Sequence, residues 1–217
     1  MSLAVGLLGG TFDPVHEGHL HAATCVRSAL GLPRVALLPC AVPPHKPEGL
    51  VASDDDRLAM LRLAVADRHG LELCTWEVDR GGRHYTIDTL RALRRAHGWD
   101  PVFVVGMDAL ADLASWREPD RLLAEFDLVA VDRPGRTIEE AAARIAGLGA
   151  TRVRAWDGSA DVGRGGRVFH LGIPPRDVSA SEIRRRCAAG EPLDDLVPPA
   201  VARYIRERKL YRLEAAR

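Results

Sequence analysis

No apolar run in the chain approaches the roughly 20 residues that a helix needs to cross a bilayer, so a membrane partner is not expected. The opening segment MSLAVGLLGGTFD lacks a charged n-region and turns polar early, and it reads as fold rather than signal peptide. Charge of one sign is also missing, since Lys plus Arg and Asp plus Glu each number 30. A protein that coats nucleic acid carries a basic surplus, so nucleic acid is not an expected partner. A small anionic substrate stays compatible, because a pocket can be basic on a neutral protein. Cysteine is scarce: Cys25, Cys40, Cys74 and Cys187 form no CxxC pair and no dense framework. That favours free thiols in a reducing cytoplasm. The usual nucleotide and metal signatures are absent as well, with no G-x-x-x-x-G-K-[ST], no G-x-G-x-x-G and no H-E-x-x-H.

What is present is an ordinary globular balance, 47% apolar and 28% charged over 217 residues, enough for a sizeable core. Short apolar runs at 3–8, 34–39, 71–74, 101–106, 127–131 and 167–171 read as strands buried on both faces. Helical patterns separate them, starting near Leu20, Ser53 and Ile87. A stretch from about Asp108 to Ala124 is broken near Pro119, and another helix is capped by Thr137 with Glu140. Two more helices, from about Ser181 and Pro198, close the chain, whereas 150–166 is Gly- and Arg-rich and resists assignment. Strand–helix alternation without a break in composition predicts one α/β domain over 1–217. Its sheet is a doubly wound, Rossmann-like parallel sheet, and its C-terminal tail is helical. Ligands of such sheets bind at the carboxyl ends of the strands.

The segment GGTFDPVHEGHL, residues 9–20, lies at such an end. Its glycines allow close backbone approach. The helix start behind it offers N–H groups and a positive dipole end to phosphate, and His16 and His19 lie nearby as donors. A metal site drawn from His16, Glu17, His19 and His21 is the competing reading. Near the C-terminus, VSASEIRRR (178–186) places hydroxyls at a helix start and Arg184 one turn in, a second anion site, with Ser179 and Glu182 as a plain capping box beside it.

Thr11, Phe12, Asp13, His16, Gly18 and His19 match the pattern [ST]-F-D-x-x-H-x-G-H, and the chain thereby resembles the HxGH nucleotidylyltransferase superfamily. Ser179, Ser181 and Arg184 resemble its second signature, with Ser181 where Thr is usual and Ala180 where a hydroxyl is common. PPHK (43–46), HYTIDTL (84–90), VGMDALADLASWRE (105–118) and DRPG (132–135) resemble the bacterial nicotinate-mononucleotide branch. The resemblance covers about residues 3–212 and implies adenylyl transfer from ATP to nicotinate mononucleotide, with Mg²⁺ arriving on ATP and no dedicated protein metal cage. It implies that Gly9, Gly10, Thr11, Phe12, His19, Gly106, Asp108, Ser179, Ser181 and Arg184 meet ATP. Asp13, His45, Lys46, Thr86, Trp116, Arg117 and Arg133 would meet the acceptor, with Trp116 on the pyridine ring. His16, His19, Lys46 and Arg184 would carry the catalysis. Another acceptor, such as nicotinamide mononucleotide or phosphopantetheine, stays open, as do a nucleotide sensor, a metallohydrolase and assembly into a homo-oligomer.

Overall fold

The computed structural model describes residues 3–42, 51–132, 138–148, 153–158, 161–174 and 176–212. Its strands are β1 (Leu3–Gly10), β2 (Val35–Pro39), β3 (Leu71–Leu73), β4 (Trp99–Gly106), β5 (Asp127–Val131), β6 (Val153–Ala155) and β7 (Val168–Leu171). They form one sheet in the order β3-β2-β1-β4-β5-β7-β6, with every pairing parallel. The helices are α1 (Glu17–Ala29), α2 (Asp54–Val65), α3 (Thr86–His97), α4 (Met107–Ala111), α5 (Pro119–Glu125), α6 (Ile138–Ile145), α7 (Ala180–Ala189) and α8 (Pro199–Glu207). This is the doubly wound, Rossmann-like architecture expected from the strand–helix alternation.

Successive strand residues face opposite sides of the sheet, so the central strands feed two cores. Val102 and Val104 join Leu20, Met60, Ile183, Val201 and Ile205 under α1, α2, α7 and α8. Phe103 and Val105 join Ile87, Leu90, Leu110 and Leu122 under α3, α4 and α5. Burial on both faces explains why the strands read as nearly unbroken apolar runs. The chain direction across the sheet reverses between β1 and β4, which opens a crevice at their carboxyl ends. Gly10 and Gly106 are the last residues of those two strands.

Three features depart from the sequence reading. β6 lies inside the stretch left unassigned; it has three residues, two of them exposed, so it carries no apolar signal. β4 begins two residues early, at Trp99, with Pro101 inside it. Proline is tolerated there because pairing with β5 begins only at Val102. The helix expected near 108–124 is α4, a 3₁₀ turn over Leu113–Ser115 and α5, with Trp116 extended between them (φ −77°, ψ 162°). The Ser53 cap of α2 is as expected, accepting from Asp56 N at 3.1 Å, whereas Thr137 lies outside the described residues.

Candidate active site

A cleft of about 340 Å³ opens at the switch point. Gly9, Gly10 and Thr11 from the end of β1 form one wall, with Cys40 beyond β2. Gly106, Trp116 and Arg117 form another, and His84, Tyr85 and Thr86 at the start of α3 close the far end. Gly9 has no room for a side chain, since an added Cβ would stand 2.9 Å from Phe103 Cζ. That same ring meets Trp116 edge-on, with centroids 6.1 Å apart. Thr86, Trp116, Arg117 and Gly106 are thus brought together. Asp108 stands in the first turn of α4, two residues beyond Gly106.

Beyond β1 the chain turns through Phe12, whose φ of +48° is the left-handed region that side chains seldom adopt. The Phe12 ring is fully buried and meets His19 edge-on at 4.8 Å. His16 and His19 stack at 3.6 Å. The His16 N–H donates to His19 Nδ1 at 3.3 Å, so a neutral His19 carries its proton on Nε2 and presents a donor there. His16 is 5% exposed, so His19 is the more accessible imidazole of the pair. Gly18 is required by the same stack, because a Cβ would lie 3.0 Å from His16 Nδ1.

Two expectations for this turn are corrected. Asp13 does not reach toward an acceptor. Its carboxylate is 1% exposed and accepts from Val51 N at 2.8 Å, Ala52 N at 3.2 Å and Tyr211 Oη at 2.8 Å, which fastens the turn to α2 and to the end of the chain. The α1 N-terminus is also less open than expected. Glu17 N donates to Leu196 O at 2.9 Å and His19 N to His16 O at 3.0 Å.

The second signature packs against the first. Ser179 caps α7, accepting from Glu182 N at 3.2 Å, and Ser181 is exposed in the first turn. Arg184 donates to the Asp13 carbonyl at 2.6 Å and to Ser181 Oγ at 3.3 Å. Arg185 and Arg186 turn the other way, paired with Glu182 at 2.8 and 2.9 Å. Those two guanidinium groups hold the Glu182 carboxyl down to about 2. Of the three consecutive arginines, Arg184 alone is aimed at the glycine-rich turn. His45, Lys46 and Arg133 lie outside the described residues.

Sequence reasoning missed several residues here. Arg57 is 0% exposed and donates to the carbonyls of Thr11 (2.7 Å) and Cys40 (2.8 Å). In the sequence it looks like any helix-surface arginine. Glu77 lines the cleft at 8% exposure and accepts from Thr89 Oγ1 at 2.7 Å. Burial pushes its carboxyl up, against the Thr89 hydrogen bond. Tyr85 stacks under the Arg117 guanidinium at 4.8 Å, and Arg117 also pairs with Asp88 at 3.7 Å. Among the described residues no group of three or more His, Cys, Asp or Glu side chains converges to hold a metal ion.

The family model for cytidylyltransferase-like proteins matches residues 7–186, from β1 through the arginines of α7. The chain belongs to that family. A Symbiobacterium thermophilum protein named "Probable nicotinate-nucleotide adenylyltransferase" is 43% identical over 95% of this chain and 94% of its own. A Geobacter metallireducens protein of the same name is 39% identical over 96% and 98%. Among solved structures, "Plasmodium falciparum nicotinic acid mononucleotide adenylyltransferase complexed with NaAD" superposes with a TM-score of 0.74 at 18% identity, covering 96% of this chain and 97% of that one. At that identity the superposition speaks for the fold alone.

Proposed function

We propose that the chain is a nicotinate-nucleotide adenylyltransferase, one catalytic unit that joins the AMP moiety of ATP to nicotinate mononucleotide and releases pyrophosphate. The observation that carries this reading is the composition of the cleft. Gly9, Gly10 and Thr11 stand at one end, on the turn that leads on to His19 and is met by Arg184, and Trp116 with the start of α3 stands at the other. Trp116 offers a face to a pyridine ring. The Tyr85 side chain does not cap α3, and at such a helix start the dipole favours a carboxylate over an amide. The names carried by relatives at 39–43% identity support the same substrate pair.

The acceptor phosphate is mostly a dianion at neutral pH and needs no strong base. It attacks the α-phosphorus of ATP and pyrophosphate leaves in line, so catalysis is positioning plus charge stabilisation. His19 Nε2–H donates to a phosphate oxygen, His16 holds His19 from behind, and Thr11 at the cleft wall faces the same anion. Arg184, together with Lys46 as the sequence motif suggests, neutralises the triphosphate. Around this turn the groups are N–H donors and cations, with the Asp13 carboxylate turned inward. That donor set suits a Mg²⁺ ion held by the triphosphate itself, where it screens phosphate charge as a Lewis acid. Four free thiols fit a reducing, cytoplasmic setting, and no described helix is long and apolar enough to cross a membrane.

The test is pyrophosphate release from ATP with nicotinate mononucleotide, nicotinamide mononucleotide or phosphopantetheine in parallel. Fastest turnover with nicotinate mononucleotide is expected. Preference for another acceptor would move the assignment within the family, and no release with any of them would overturn it.

A further inference from the structure

Arg57 is a fully buried guanidinium on α2, with Asp54 as its ion partner at 2.7 Å. Burying a charge is costly unless it is well hydrogen-bonded, and a surface arginine on this helix would avoid that cost. Its other contacts are both to backbone at the carboxyl ends of neighbouring strands: the carbonyl of Thr11 after β1 and that of Cys40 after β2. Those two ends are also tied directly, Cys40 N donating to Gly10 O at 3.0 Å. Thr11 and Cys40 line the cleft, and Arg57 does not.

In a trans peptide the C=O and N–H point in opposite directions. With the Thr11 carbonyl turned to Arg57, the Phe12 N–H points the other way; Phe12 is itself fully buried, so the residue of this peptide that reaches the cleft is Thr11. Phe12 sits at φ +48°, a conformation that persists only where the surroundings fix it. Its buried ring packs on His19 on one side, and the Arg57 guanidinium holds the preceding peptide on the other. We propose that Arg57 is a positioning residue for the phosphate-binding turn. It fixes the orientation of the Thr11–Phe12 peptide so that Thr11 is held at the cleft wall, where it meets the nucleotide's phosphates, and it keeps a positive charge directly behind that turn. This role rests on the adenylyltransferase reading for its substrate, and on the backbone geometry for its mechanism.

Arg57→Lys keeps the charge but cannot hold both carbonyls in a fork; Arg57→Met removes charge and donors; Asp54→Asn removes the ion partner and leaves the carbonyl contacts. Steady-state pyrophosphate release is measured with ATP and nicotinate mononucleotide varied in turn, below the melting temperature of each variant. Expected are a kcat loss on the order of 10²-fold for Arg57→Lys, the scale of a misplaced reacting group, and a nicotinate mononucleotide KM within about twofold. Asp54→Asn should keep kcat. A folded Arg57→Lys enzyme with unchanged kcat would overturn the proposal, as would equal losses in Asp54→Asn. If Arg57→Met does not fold, Arg57→Lys still decides. A second readout is independent of turnover: in ¹⁵N-labelled protein, pyrophosphate should shift the Thr11 amide resonance in the wild type and not in Arg57→Lys. Equal shifts in both proteins would reject the orienting role. A wild type that releases no pyrophosphate from any acceptor would reject the enzymatic reading, while the amide shift still judges Arg57.

Discussion

His19 and Tyr211 serve the same turn in different ways. His19 stands at the open face of its stack with His16, its Nδ1 occupied by the His16 N–H. Its Nε2 is the nitrogen we assign to the charge that develops in the transition state. His19→Ala is expected to lower kcat by about 10²–10³, the scale for losing one such donor. Circular dichroism should stay unchanged, because the ring is only partly buried. Near-normal turnover in that variant would remove His19 from the mechanism. Tyr211, nearly two hundred residues further on, touches no substrate. Its hydroxyl donates to the Asp13 carboxylate, and burial together with that charge pushes the phenol above its ordinary range. Tyr211→Phe deprives a buried carboxylate of a donor and should cost about 1–3 kcal/mol of stability, read as a lower denaturant midpoint. A midpoint within error of wild type would mean that the two backbone amides suffice. The sequence made the motif positions of both signatures visible. It could not show that Asp13 faces inward, because the partner that turns it, Tyr211, becomes a neighbour only in the folded chain.

At the level of elements, the acceptor end of the cleft is made by two interruptions of helix. One is the start of α3, where Tyr85 and Thr86 line the cleft and Glu77 stands beside them. The other is the gap between α4 and α5, where Glu118 adopts φ +49° and Trp116 is released from helical geometry to face the cleft. The residues Ala109 to Ser115 are good helix formers, and local propensity favours a continuous helix over them. The packing of Trp116 against Phe103 overrides that preference, which is why Pro119 was the only break legible in the sequence. The strands other than β6, by contrast, were legible because burial leaves their middles mostly apolar. Glu77 supplies a pH prediction at this scale. Burial raises its folded value above the ordinary 4.5. Below that ordinary value the group is protonated both folded and unfolded, and no stability is lost. As pH climbs toward the folded value, the unfolded chain releases its proton first and stability falls. Glu77→Gln keeps an acceptor for Thr89 and removes the titration. The melting temperature of the variant minus that of wild type should therefore be larger at pH 7.5 than at pH 4. A difference independent of pH would show that Glu77 is not strained by its burial.

Across the whole molecule, the switch point divides the sheet into β3-β2-β1 on one side and β4-β5-β7-β6 on the other. The cleft takes residues from both sides, with Gly9 to Thr11 and Cys40 from the first and Gly106, Trp116 and Arg117 from the second. A ligand filling it is bound by the native arrangement and not by the unfolded chain, so it must stabilise the fold by mass action. At a hundred times its Kd the gain is about 2.7 kcal/mol. For a domain of this size that is roughly 5–10 °C of melting temperature. The same linkage reads out the choice of acceptor without any turnover. The N-terminus of α3 should favour the nicotinate carboxylate over the neutral carboxamide by about 0.3–1 kcal/mol, since both rings have the same Trp116 face to stack on. At equal concentration, nicotinate mononucleotide should therefore raise the melting temperature more than nicotinamide mononucleotide, and the gap should narrow as salt screens the dipole. Equal shifts for the two nucleotides at low salt would mean that α3 does not read the carboxylate. Discrimination would then have to come from side chains around the cleft, such as Arg117, which stacks on Tyr85 and pairs with Asp88 at the α3 start.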